Sequence, residues 1–335
     1  MTEAGPAPRS LRALPKVHVH VHLDGSYPLA AVQELARRRG LSFAVPERFD
    51  DVWQFFDAYG TVPDLVEGHE DLAALCRALV LAEAAQGVVY LEPAIEAQLY
   101  AERLGGIRQV TATMVRALAE GAAEADIEVG ANLTINTDQD LPIAGELARV
   151  AADYAGRGVT ALGTAGFEEP AGLGRFAAAA AVARSAGLPI VAHAGQTGGP
   201  DSVLEALDEL GATRVSHGVN SVRSPELLGR LAAEQIVCDV CPVSNVRLGV
   251  VASLAEHPAP DLLEAGVAIT LNADDELWFG ASVTDQYEIA RRQWGLSDVA
   301  IAAIARNGAL IAGMSADNRR GFLADIDEWM VGLRV

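Results

Sequence analysis

Positive charge, aromatic rings, cysteines and long apolar runs are all scarce in this chain. Only 25 Lys and Arg stand against 45 Asp and Glu, a net charge of −20 over 335 residues. Such a surface repels phosphate backbones and anionic bilayers, so neither a nucleic acid polymer nor a membrane is expected as partner. Three cysteines, Cys76, Cys238 and Cys241, are too few and too odd in number for a disulfide framework, which agrees with a reducing compartment. No stretch reaches the ~18 uninterrupted apolar residues of a membrane helix, and residues 1–14 lack the apolar centre of a signal peptide. A soluble, cytoplasmic protein is expected. Aromatics make up only 5% of the chain while 50% is hydrophobic, so the core is built of Ala, Val and Leu, and a disordered or fibrous chain is excluded.

Length leaves two domains or one large barrel open. Short β-branched runs decide between them: 17–23, 87–95, 127–135, 159–164, 188–193, 213–219, 235–240 and 267–271. Between them lie Ala/Leu-rich stretches with helical spacing, such as Leu72, Leu75, Cys76, Leu79 and Val80. Several of these end at a glycine just before the next strand, as at Gly87, Gly187, Gly211 and Gly266. Ser202 with Glu205 has the capping-box pattern, and Ser224 before Pro225 places a cap ahead of a first-turn proline. Regular alternation predicts parallel strands. Eight units match an α/β (β/α)8 TIM barrel better than a doubly wound sheet, because the first strand ends in His-Leu-Asp-Gly rather than in a glycine-rich phosphate turn. The expected organisation is a tail over 1–14 and a single barrel domain over 15–335, with a helical insertion after the first strand at about 41–69. That insertion carries Phe43, Phe49, Trp53, Phe55, Phe56 and Tyr59. It reads either as a wall of the barrel mouth or as a lid without ligand contact.

His18, His20 and His22 alternate with valines, so on one strand they share a face. In a barrel that face is the interior, and residues nearest the carboxyl end reach the mouth where barrel enzymes keep their sites. His20 and His22 therefore suit a shared metal ion, while the deeper His18 reads as a hydrogen-bonded core residue. His193 ends the fifth strand, His217 the sixth, and Asp274 and Asp275 follow the eighth. Imidazoles and a carboxylate gathered at one rim suit Zn2+ or another divalent first-row ion, one per chain, with an open position that activates water. The chemistry indicated is hydrolysis of a small molecule. Cys238 and Cys241 have CxxC spacing but no second pair, which is weak evidence for metal or redox work. His69, His257 and the Gly198-Gly199-Pro200 turn read as structural.

Pro15-Lys16-Val17 through His20-Val21-His22-Leu23-Asp24-Gly25, then His193-Ala194-Gly195, Ser216-His217-Gly218, Cys241-Pro242 and Asn272 to Asp275 resemble the adenosine deaminase family of the amidohydrolase superfamily. The resemblance runs in order from Pro15 to about Trp329. It implies that His20, His22, His193 and Asp274 bind zinc and that His217 orients and activates the attacking water. It further implies that Asp275 and the Gly166 backbone meet a purine and that Asp24 holds the ribose end.

Three positions depart from the family pattern. Where its His-Ala-Gly is followed by a glutamate that protonates N1 of the purine, this chain has Gln196, whose amide can hydrogen-bond but cannot deliver a proton at neutral pH. After Glu92 the usual valine and arginine are Pro93 and Ala94, and an acidic residue ahead of Gly166 is Gly163. Three functions follow. The first is a hydrolase on a purine nucleoside-like molecule that needs no acid at residue 196. The second is an adenosine or aminopurine deaminase with a displaced acid, His18 or Glu168. The third is a catalytically silent binding protein. The sequence leaves homo-oligomerisation open.

Overall fold

The computed structural model describes residues 9–49, 51–168, 171–311 and 313–331. Ten strands alternate with helices: β1 (Lys16–His18), β2 (Val88–Leu91), β3 (Ala94–Ile95), β4 (Glu128–Val129), β5 (Ala131–Asn136), β6 (Val159–Ala165), β7 (Ile190–Ala194), β8 (Arg214–His217), β9 (Val237–Val240) and β10 (Ile269–Leu271). They form eight staves, because β2 and β3 are one course broken at Glu92-Pro93 and β4 and β5 one course broken at Gly130. Proline has no N–H to give a neighbour, which accounts for the first break. All pairings are parallel.

Two sheets, β1-β2-β4 and β10-β9-β8-β7-β6-β5-β3, are joined by the segment just after β1. There His22 pairs with Ala94 on one side and Val21 with Asp274 on the other. The His22 amide donates to Asp274 O at 2.9 Å, and the Asp274 amide donates to His20 O at 3.1 Å. Asn272 Oδ1 accepts from the amides of Val19 (2.9 Å) and His20 (3.0 Å), filling in for backbone pairing along the same seam. The ring is therefore a (β/α)8 barrel closed between its first and last staves.

The eight β-branched runs correspond to the eight staves because both faces of a parallel barrel are covered, which demands nearly continuous apolar sequence. The glycines at 87, 187, 211 and 266 all have positive φ, between 69° and 83°, as the ends of the preceding helices require. Ser224 caps helix Pro225–Ala233 by accepting from the Leu227 amide. The capping box at Ser202 does not form. Helix Pro200–Glu205 is capped at Gly199, and the Ser202 hydroxyl serves Glu168 instead.

In the insertion, Asp51 caps helix Val52–Leu65, whose Phe55 stacks on Phe279 at 5.3 Å. Phe43 and Phe49 lie against Trp278. Residues 1–8 of the expected tail lie outside the described residues, but 9–14 are packed: Leu11 and Leu14 are buried, and Arg9 Nε donates to Trp329 O at 2.9 Å. No helix among the described residues is long and apolar enough to cross a membrane.

Candidate active site

At the carboxyl ends of the staves, four side chains from three places in the chain converge. Asp274 Oδ1 lies 3.3 Å from His20 Nε2 and 3.2 Å from His22 Nε2. The rings of His20 and His193 are 5.8 Å apart at their centroids, and those of His22 and His193 6.3 Å. His217 closes the group, with Nε2 2.9 Å from His193 Nε2 and 3.7 Å from Asp274 Oδ2. His217 and Asp274 both adopt left-handed backbone, φ 68° and 66°. Non-glycine residues held there cost on the order of 1–3 kcal/mol each, and such outliers collect at functional sites.

The donors suit a cation. His20 Nδ1 donates to Asp239 O at 2.9 Å, so its Nε2 edge is the one turned to Asp274. That Nε2 is buried and finds no hydrogen-bond partner among the described residues. Two electron-rich atoms at 3.3 Å need a proton or a metal between them. Burial pulls the His22 imidazole down, but the carboxylates of Asp275, Asp274 and Glu96 outweigh it and lift it to about 10. Burial pushes Asp274 up, yet the surrounding imidazoles, His20 first, hold it well below the ordinary range. Burial lowers His193 to about 3 and puts His217 well below its usual value. The Cys241 thiol is 3.3 Å from His20 Nδ1, on the ring edge away from Asp274, and burial keeps it protonated.

A cavity of about 150 Å³ opens on this cluster, lined by His22, His193 and Asp274 together with Gly166, Gln196 and Asp275. Phe55, Phe56 and Tyr59, from the segment read as an insertion, supply its apolar wall. A second cavity of about 410 Å³ shares Glu96, Asn136, Gly166 and Phe167 with the first and extends between Trp53, Leu99 and Arg175. Asp24 is not among the residues lining either cavity. It is fully buried and accepts from the hydroxyls of Tyr27 (3.3 Å) and Tyr100, and burial raises its carboxyl to about 7. Glu96 stands at the junction of the two cavities instead. Its Oε1 is 4.0 Å from His22 Nδ1 and its Oε2 accepts from Asn136 at 3.3 Å. No motif marks Glu96 in the sequence.

Neither candidate acid lines the inner cavity, although Glu168 lines the second. His18 is buried behind the cluster: Nε2 accepts from the Ala273 amide at 3.0 Å, and Nδ1 donates to Glu83 at 2.8 Å. Glu168 accepts from the amides of Gly195, Gln196 and Thr197 and from Ser202, which makes it the anchor of the turn bearing Gln196. Sequence reasoning also missed Ser244, whose hydroxyl donates to Asp274 Oδ2, and Asn245, which sits under His217. His257, read from the sequence as structural, lies in a loop and is buried against Asn245. His69 is structural, its Nδ1 2.8 Å from Thr113 Oγ1.

A closed parallel barrel carrying imidazoles and a carboxylate at the carboxyl ends of its staves has the form of a barrel hydrolase. The family described as adenosine deaminase matches residues 15–329. The chain belongs to this family, within the amidohydrolase superfamily, and is a hydrolase of the adenosine deaminase type. It is 34% identical over 340 residues to an aminodeoxyfutalosine deaminase of Streptomyces coelicolor, covering 96% of this chain and 87% of that one. An adenine deaminase from Arthrobacter aurescens superposes with TM-score 0.87 at 28% identity, covering 95% of this chain and 99% of that one. An amidohydrolase from Burkholderia ambifaria, solved with bound Zn, gives TM-score 0.85 at 22% identity and covers 96% and 93% of the two chains.

Proposed function

We propose that this chain is a metal-dependent hydrolase that releases ammonia from an aminopurine carried on a larger, nucleoside-like molecule. The observation that carries the reading is the convergence of His20, His22, His193, Asp274 and His217 beside a cavity that shares lining residues with a roomier annex. In a purine the amino-bearing carbon, C6, and N9 lie at opposite ends. With C6 at the imidazole cluster, the substituent on N9 enters the annex, where Glu96 and Asn136 offer an acceptor and a donor to hydroxyl groups. The inner cavity alone is smaller than the roughly 300–1,000 Å³ of ordinary ligand sites.

His20, His22, His193 and Asp274 would hold one zinc ion. When bound, such an ion supplies Lewis-acid activation of the attacking water. Asp274 Oδ2, facing His217, takes the first proton from the water as the C6–O bond forms. The C6–N6 bond then breaks, and of the water's two protons one ends on ring N1 and the other on the departing ammonia. Asp275, whose carboxyl burial and the neighbouring Asp274 push well above the ordinary range, meets the five-membered ring, and the Gly166 backbone meets the other edge. Gln196 faces N1, its amide N–H donating to the bare ring nitrogen before the proton arrives and its amide oxygen accepting from N1–H afterwards, without the proton delivery of a carboxylic acid.

The test is a substrate panel on purified protein with its metal content measured: adenine, adenosine, deoxyadenosine, aminodeoxyfutalosine and N6-substituted purine nucleosides, followed by ammonia release and mass change. Higher kcat/KM on N9-substituted purines than on adenine is expected. Turnover of adenine alone would remove the annex from the reading, and a protein that binds no divalent ion would sink the whole of it.

A further inference from the structure

Below the imidazole cluster runs a line of hydrogen bonds that starts at a backbone amide and ends at His217. The Ala259 amide donates to His257 Nδ1 at 3.1 Å. A backbone N–H can only donate, so Nδ1 of His257 is the acceptor and the ring's remaining hydrogen is on Nε2. That Nε2 is 3.0 Å from Asn245 Oδ1, which fixes the amide so that its Nδ2 faces away from His257. Asn245 Nδ2 lies 3.1 Å from His217 Nδ1, and an amide nitrogen donates. His217 Nδ1 is therefore an acceptor, and the ring carries its hydrogen on Nε2, 2.9 Å from His193 Nε2 and 3.7 Å from Asp274 Oδ2. All three side chains are buried, and His257 is stacked on Trp294 with centroids 5.4 Å apart.

We propose that His257 and Asn245 are positioning residues that lock His217 as an Nε2–H donor, so that His217 holds the attacking oxygen by donating to it and does not remove its proton. This rests on the proposed reaction for its consequence but not for its geometry. The water proton goes to Asp274 Oδ2, whose own partners, Ser244 and the imidazoles, leave it an acceptor. A ring with the opposite tautomer would turn a lone pair toward an oxygen that is gaining negative charge. It would also force Asn245 to accept where its nitrogen now donates.

The test reads the tautomer directly. Full-length 15N-labelled protein, metal-free and zinc-loaded, is examined by long-range proton–nitrogen correlation, with His217 assigned by comparison with His217→Gln. His217 should show a protonated Nε2 and an unprotonated Nδ1 in both states. An unprotonated Nε2 in the neutral ring overturns the proposal. Asn245→Asp presents an acceptor to Nδ1 and should reverse the pattern. It should also lower kcat by ~10²- to 10⁴-fold with little change in KM, the upper figure being that of a wrong histidine tautomer in a serine protease triad. A reversed tautomer with undiminished kcat also overturns it.

If Asn245→Asp does not fold, the His257 pair decides. His257→Gln keeps a donor toward Asn245 and should keep the pattern and kcat within about threefold, whereas His257→Leu should lose the pattern and kcat together. Equal behaviour of the two would mean a merely structural role. Wild-type protein inactive on every purine, yet with the assigned tautomer, would refute the proposed reaction and leave the hydrogen-bond assignment standing.

Discussion

Replacing Gln196 by glutamate tests whether a carboxyl proton at residue 196 speeds the proposed reaction. The backbone at residue 196 is pinned from both sides: its amide donates to Glu168 Oε1 at 2.9 Å and its carbonyl accepts from Asn220 at 2.8 Å. The side chain is only 6% exposed, so an isosteric change should leave the turn where it is. The new carboxyl would share a cavity with Glu96, Asp274 and Asp275. Burial already raises Glu96, and burial together with Asp274 raises Asp275 well above the carboxylate range. The same forces would keep the new group protonated near neutral pH, the state a donor to N1 needs.

A positioned general acid contributes ~10²- to 10⁴-fold, or roughly 3 to 5 kcal/mol of transition-state stabilisation. Gln196→Glu should therefore raise kcat for adenosine or adenine by that factor and add an alkaline limb to the pH profile as the carboxyl ionises. Ammonia release and the purine absorbance change, measured at matched metal content, check it. Unchanged kcat in a metal-loaded variant would refute the reasoning and mean that the cavity selects a different ring chemistry.

At Gly25 a Cβ would fall on Asp275 Oδ1. Gly25→Ala should displace that carboxyl, raise KM for the purine about tenfold or more and destabilise by ~1–3 kcal/mol, read from kinetics and thermal melts. Because His22 in the metal-free protein titrates at about 10, loading the ion near pH 7.5 should expel a proton, and affinity should rise with pH. Calorimetry in two buffers of different ionisation enthalpy reads the release, and zero release would contradict it. Burial raises Glu83 and Glu276, which face each other, to about 8. The folded state thus keeps protons that the unfolded chain gives up near ~4.3, so stability falls as pH rises from there to about 8. Glu83→Gln should flatten that slope in denaturant titrations at several pH values, and an unaltered slope would place the protons elsewhere.

The staves were legible because each must be apolar on both faces, which leaves short β-branched runs with glycine ends. The cluster was legible because strand alternation and stave ends say where His20, His22, His193, His217 and Asp274 point. Burial was not. His257 looks like an ordinary loop histidine until Ala259 and Asn245 close around it. Glu96 lies in a run with no motif, and only the break at Pro93 and the return of the chain as β3 bring it to the junction of the cavities. Asp24 follows two cluster histidines in the chain, yet the turn carries it under Tyr27 and Tyr100. Ser202 reads as a cap from spacing, but a buried carboxylate 34 positions away claims its hydroxyl.

The seam between the first and last staves also has a meaning for the birth of the molecule. His20 and His22 emerge early in synthesis, while Asp274 and Asn272, 252 positions beyond His20, come near the end. No growing chain short of the eighth stave can assemble the donor set, however well its helices have formed. With the donor set holding an ion as proposed, capture would be a terminal event, and a retained ion would certify that the ring has been completed. Because a ligand of the native state alone adds its binding free energy to the fold, the ion would act as a clasp on the one joint that the chain's connectivity leaves open.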